Sequence, residues 1–169
     1  VTDTAWTRLD GLARGLSPFA LTLAFLMLVA VPLRIPDLSP ILPAVGLIAV
    51  YYWIVHRPDL MPAWAVFLIG LIEDLLGGGP LGVGPFVLLV LYAAVASQRR
   101  VFVGGGFFLL WLIFVPLAAG AFVLSWVFSS LILDQFIAVR PVFFQYLTTV
   151  AFYPCLTWVF IQAQRAFLR

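Results

Sequence analysis

Two adjacent acids, Glu73 and Asp74, stand at the far end of an apolar run that opens after Arg57-Pro58-Asp59. The chain then passes through Gly77-Gly78-Gly79-Pro80-Leu81-Gly82-Val83-Gly84 and returns at once to apolar sequence. An ionisable group inside lipid-soluble sequence is expensive unless it faces a bundle interior, water or a partner. Glycine and proline free and punctuate the backbone, so this octet reads as a tight reversal. The stretch 57–95 is therefore read as helix, sharp turn, helix, with two acids at the turn.

The rest of the composition fixes the solvent. Hydrophobic residues make up 64% and charged residues 9%, with mean hydropathy +1.16, against roughly 45–50% and ~25% in soluble domains. This is the composition of an all-α polytopic membrane protein. The formal net charge of +2 comes with nine arginines and no lysine. Spread over loops, these read as topology signals and exclude a nucleic-acid patch. Cys155 is alone, so no internal disulfide forms, and its apolar surroundings predict a small buried hydrophobe. Arg8 and Arg14 precede the apolar run 19–33, but no small-x-small site follows, so this run is read as a retained span rather than a cleaved signal.

Residues 1–16 form a cytoplasmic or interfacial N-terminal segment, within which 2–16 carry an amphipathic pattern weakened by Gly11 and Gly15. Residues 17–169 are read as one six-helix membrane domain with spans near 17–33, 41–55, 60–76, 83–97, 101–133 and 141–163. The second closes on Tyr51-Tyr52-Trp53, expected as an interfacial aromatic belt beside His56-Arg57. The fifth run is too long for one perpendicular span, and Pro116 within it predicts a kinked, tilted helix. With both termini cytoplasmic, Arg8, Arg14, Arg57, Arg99, Arg100, Arg165 and Arg169 lie inside and only Arg34 and Arg140 outside, seven against two. Splitting the fifth run gives six against three, so six transmembrane helices is the preferred count. The 77–84 turn then lies on the outer face, with Arg34, Asp37, Glu73, Asp74, Asp134 and Arg140.

On the third span Ala63, Phe67, Gly70, Asp74 and Gly77 share one helical stripe, and Glu73 lies roughly 100° away. Asp74 is expected to face inward, held by Arg34, Arg140 or free N–H groups of the glycine turn, with Glu73 nearer the headgroups. Gly77-Gly78-Gly79-Pro80-Leu81-Gly82 spells G-x-G-x-x-G, but a dinucleotide site needs a preceding strand and a phosphate loop needs a lysine. Both are rejected. Ala121, Ser125 and Ser129 read as a packing seam. One histidine, His56, without clustered Cys, Asp or Glu makes a metal site improbable, and no cofactor is expected. Serine nucleophiles lack a nearby base. An acid pair of Asp74 with Asp134 stays open, but both lie at the outer edge, and the chain is read as non-enzymatic.

The stretch resembles the MreD family of bacterial rod-shape membrane proteins. The matching residues are Pro58, Asp59 and Pro62 at the entry, Gly70-Leu71 and Asp74 in the helix, and Gly79-Pro80-Leu81-Gly82 at the turn. The resemblance implies a multi-pass protein of the bacterial inner (cytoplasmic) membrane, similar in fold to the S-components of energy-coupling-factor transporters. It implies a non-catalytic scaffold of the elongasome that binds MreC and helps position peptidoglycan synthesis for rod cell shape. The other implied partners are a RodA-type glycosyltransferase, a class B penicillin-binding transpeptidase and MreB filaments, besides membrane lipid. On that reading Glu73, Asp74, Gly79, Pro80, Leu81, Gly82, Arg34 and Arg140 form the outer contact region, and Arg57, Pro58, Asp59 and Pro62 set the helix entry. The alternative is a small-molecule-binding membrane subunit of a transporter.

Overall fold

The computed structural model describes residues 18–28, 42–98 and 105–167. The expected amphipathic segment 2–16, Arg34 with the loop 34–40, and Arg99-Arg100 lie outside the described residues. Among the described residues the chain is helical, with no strand. Helix α1 is Pro18–Leu28 and α2 is Val45–His56. A 3-10 turn at Pro58–Leu60 leads into α3, Ala63–Gly77, then α4, Val83–Ser97. Helices α5, Phe107–Leu133, and α6, Val139–Phe167, complete the order. Each of the six expected spans thus has one helix. Among the described residues α5 and α6 are, by length and composition, the two helices long and apolar enough to cross a membrane, while α1, α2 and α4 are shorter apolar helices.

Helix α2 is the axis of the bundle. Every residue from Val45 to Ile54 is buried, which is what a helix apolar on all sides requires. This corrects the belt reading of Tyr51-Tyr52-Trp53, since all three are fully enclosed. The hydroxyl of Tyr51 donates to the Leu110 carbonyl at 2.8 Å, and that of Tyr52 donates to Gln164 Oε1 at 2.9 Å. Their rings pack on Phe114, Tyr153 and Phe160, so aromatic area joins α2 to both α5 and α6. A tyrosine can serve this way in a core because its polar tip finds an acceptor.

Glycine sets the closest helix contact. A Cβ on Gly70 of α3 would lie 2.5 Å from the backbone nitrogen of Pro85 and 2.6 Å from its Cα on α4. A Cβ on Gly84 would strike the Asp74 carboxylate and come within 2.8 Å of the Gly70 carbonyl oxygen. Small residues at a crossing let backbones approach, the main source of attraction between helices where lipid removes the hydrophobic drive.

The long hairpin packs differently. Helix α5 continues unbroken through Pro116 and buries Leu110, Phe114, Ala118 and Ala121 as one stripe. The packing seam therefore lies on these residues, with Ser125 and Ser129 only half-buried. In α6, Pro154 has no N–H to offer the Val150 carbonyl four residues back. The indole N–H of Trp111 on α5 donates to that carbonyl at 3.2 Å. Tyr146 donates to the Val115 carbonyl at 3.3 Å, and Trp126 donates to that of Ile137 at 2.9 Å. Cys155 is exposed on the outer surface of α6, contrary to the buried expectation. The apolar pattern of α6 cannot distinguish a lipid-facing from a core-facing position.

Candidate functional site: the acidic helix-end clamp

None of the first turns of α2, α4 and α5 carries a side-chain cap of its own. A helix start leaves four backbone N–H groups without partners, and lipid offers none. For α2 and α4 the missing acceptors come from the last turn of α3.

Glu73 reaches toward α2. Its Oε1 accepts the N–H of Gly46, the second residue of that helix, at 2.8 Å. Gly46 leaves space for this carboxylate, since a Cβ there would sit 2.5 Å from the carboxylate carbon of Glu73. Two residues earlier the Ala44 N–H donates to Thr149 Oγ1 at 3.0 Å, and the Thr149 hydroxyl donates to the Gln145 carbonyl at 2.6 Å. The start of α2 is therefore held by a carboxylate from α3 and a hydroxyl from α6.

Asp74 reaches toward α4. Its Oδ2 accepts the Gly82 N–H at 2.8 Å, and the Gly84 N–H lies 3.1 Å from Oδ1 and 3.0 Å from Oδ2. The backbone carbonyl of Asp74 also takes the Gly78 N–H at 3.0 Å, closing α3. Gly78 (φ 66°) and Gly82 (φ 103°) both adopt left-handed backbone, which side chains disfavour. Gly82 occupies the third position of a turn in which the Val83 N–H approaches the Pro80 carbonyl at 3.4 Å, where such turns call for glycine.

The electrostatics explain the placement of two acids at a helix C-terminus, normally their unfavourable end. Each carboxylate is aimed at the positive N-terminus of an antiparallel neighbour, so the attraction to α2 or α4 opposes the repulsion from α3. Neighbouring helical residues point about 100° apart. That angle sends one acid to each neighbour.

Several expected contacts are corrected by this geometry. Of the partners expected for Asp74, the glycine-turn N–H groups bond it, while Arg34 lies outside the described residues. Arg140 instead lies over the Phe144 ring, 5.9 Å from its centroid. Glu73 is turned into the bundle toward α2, not outward to the headgroups. Within the expected α3 stripe, Gly70 and Asp74 meet α4, but Ala63, Phe67 and Gly77 are exposed. At the turn Gly79 has open space around it, and Leu81 is exposed.

The entry residues sit at the opposite end of α3. The Arg57 N–H closes α2 on the Trp53 carbonyl at 2.7 Å, and the Pro62 carbonyl receives the N–H of Ala65 at 2.9 Å. Pro58 begins the 3-10 turn and Asp59 lies in its first turn. Exposed His56 places Nδ1 2.9 Å from the Tyr52 carbonyl. Among the described residues no His, Cys, Asp and Glu group has the arrangement to hold a metal.

Gly46 and Thr149 were missed by sequence reading, although a signal existed. The segment Pro43-Ala44-Val45-Gly46 begins an apolar helix with no Ser, Thr, Asp or Asn to cap it. A helix start with no cap of its own needs an acceptor from elsewhere in the fold.

The class this defines is a helical membrane bundle in which two adjacent acids serve the starts of neighbouring helices. Within that class the chain belongs to the family of rod shape-determining protein MreD, whose model matches residues 12–164. It is thus a membrane protein with a role in rod shape determination. No curated protein and no solved structure matches the chain.

Proposed function

We propose that this chain is a non-catalytic, six-span scaffold of the rod-shape system, with both termini in the cytoplasm. It binds MreC at its outer end and helps position peptidoglycan synthesis by the RodA-type glycosyltransferase and class B transpeptidase, in step with MreB filaments. The observation that carries this reading is the commitment of both Glu73 and Asp74 to backbone N–H groups. Acids used in this way fix the geometry of the turn 77–84 and present no free pair for acid–base chemistry. The family match over residues 12–164 supports the shape-determining role, and the arginine asymmetry supports the orientation.

In this proposal the clamp is internal and the contact surface is the exposed part of the turn, Gly79 and Leu81, together with Arg140. A Cβ added at Gly79 would meet nothing within 4 Å. Gly79→Trp and Leu81→Arg are therefore expected to reduce co-purification with an MreC homologue by at least ~10-fold at unchanged abundance, as for hot-spot contacts. Unchanged recovery of both variants would remove the turn from the interface.

A further inference from the structure

Helix lengths in this bundle divide into two groups. Helices α3 and α4 have 15 residues each, or ~22 Å at 1.5 Å per residue. Helices α5 and α6 have 27 and 29, or ~40 and ~43 Å. Against a hydrocarbon layer of ~30 Å the mismatches have opposite signs. The difference matters because tilting shortens the projection of a long helix, whereas no rotation lengthens a short one.

Three further observations bear on the short pair. Its outward surface is apolar nearly to both ends, with Trp64, Phe67, Leu75, Leu76, Leu81 and Phe86 exposed. The chain preceding α3 turns into the bundle, with Met61 fully buried and Leu60 half-buried. At the turn, Asp74 satisfies the start of α4 from within the protein, as a helix end near acyl chains requires.

We propose that the α3–α4 hairpin draws the bilayer thin along its outer face, so that lipid chains there meet a wall of ~22 Å, while tilt accommodates α5 and α6. The occupant of this face in the isolated protein is lipid, and thin bilayers are its preferred solvent. The inference rests on the proposed reading that α3 and α4 cross the membrane.

The test uses a Cys155→Ser background and single substitutions Leu81→Cys, Gln98→Cys and Gln135→Cys, with a membrane-impermeant maleimide as probe. The protein is reconstituted alone into dimyristoleoyl, dioleoyl or dierucoyl phosphatidylcholine and labelled after permeabilisation. Because the bilayer adapts to the hairpin, the Leu81→Cys rate is expected to change by less than about twofold from the thinnest to the thickest bilayer, as is that of Gln135→Cys. A Leu81→Cys rate that falls at least ~10-fold in the thickest bilayer while Gln135→Cys is unchanged means that the turn sinks below the headgroups, and it overturns the inference. Sidedness in oriented vesicles separates the two ideas. If Leu81→Cys and Gln98→Cys label from the same side, the spanning reading fails and the inference with it. If they label from opposite sides but the Leu81→Cys rate falls with thickness, only the thinning is lost.

Discussion

The α2–α3–α4 region and the α5–α6 hairpin meet the same physical demand with opposite chemistry. Backbone groups in lipid must find partners inside the protein. Where short helices begin without caps the orphans are N–H donors, and the chain supplies acceptors, Glu73, Asp74 and Thr149. Along the α5–α6 hairpin it supplies donors to carbonyls, with Trp111 and Tyr146 reaching Val150 and Val115 within the helices and Trp126 reaching Ile137 in the connection between them. The Val150 carbonyl is one that Pro154 leaves without its usual helical donor. At the starts of α2 and α4 and at Val150, the side chain supplied matches the half of the peptide group that lacks a helical partner. Acids at one end of the bundle and indoles along the other wall are two answers to one accounting problem.

The contrast can be broken most forcefully where backbone itself is in contact. Gly70→Leu places side-chain atoms into the Gly84–Pro85 backbone, which cannot retreat as a flexible side chain would. It is expected to cost about 3 kcal/mol or more, beyond ordinary overpacking. The readout is loss of the monodisperse peak in size-exclusion chromatography. A folded, wild-type-like profile would show that α3 and α4 can separate cheaply.

Next in size is the cap on α4. Asp74→Ala leaves the Gly82 and Gly84 donors without an acceptor and is expected to cost about 2–3 kcal/mol, the range for bonds to charged groups. Asp74→Asn keeps one side-chain oxygen and should lose about half as much. Both are measured by unfolding in mixed detergent micelles. Equal losses for Asn and Ala would mean that charge, not acceptor geometry, holds the turn.

The cap on α2 is a single bond and should be more forgiving. Glu73→Gln retains an acceptor for Gly46 and is expected to cost less than about 1 kcal/mol, whereas Glu73→Ala should cost about 1–3 kcal/mol. If Gln is as damaging as Ala in the same micelle assay, Glu73 has a role beyond its bond to Gly46.

The smallest effect sharpens the other side of the contrast. Trp111→Phe removes the donor to Val150 and should cost about 0.6–1.7 kcal/mol, the range found for membrane hydrogen bonds. Pro154→Ala restores a backbone N–H to that carbonyl. In the Pro154→Ala background, Trp111→Phe should therefore lose at least about half of its effect, a coupling that a double-mutant cycle reads directly. Simple additivity would separate Trp111 from the proline defect.

Much of the helical fold was legible because composition and run length are local properties. The six apolar runs each became a helix, and the glycine octet became the α3–α4 turn. Asp74 was legible too, since the turn N–H groups it uses are its near neighbours in sequence. Glu73 was not, because its partner lies 27 residues away on α2. The same limit applied to Tyr51-Tyr52-Trp53, where an aromatic cluster near a span end suits an interface as well as a core.

What the sequence determined alone was the solvent, the helical class, the reversal at 77–84 and the presence of two acids that needed partners. Those follow from residue type and spacing, which act within one helix or turn. Only the tertiary structure decided which helix each acid serves, that α2 is the enclosed axis, and that Trp111 supplies the donor that Pro154 withholds. Such choices depend on which helices become neighbours and at what height, and the spacing along one chain does not encode the depth at which two distant helices meet.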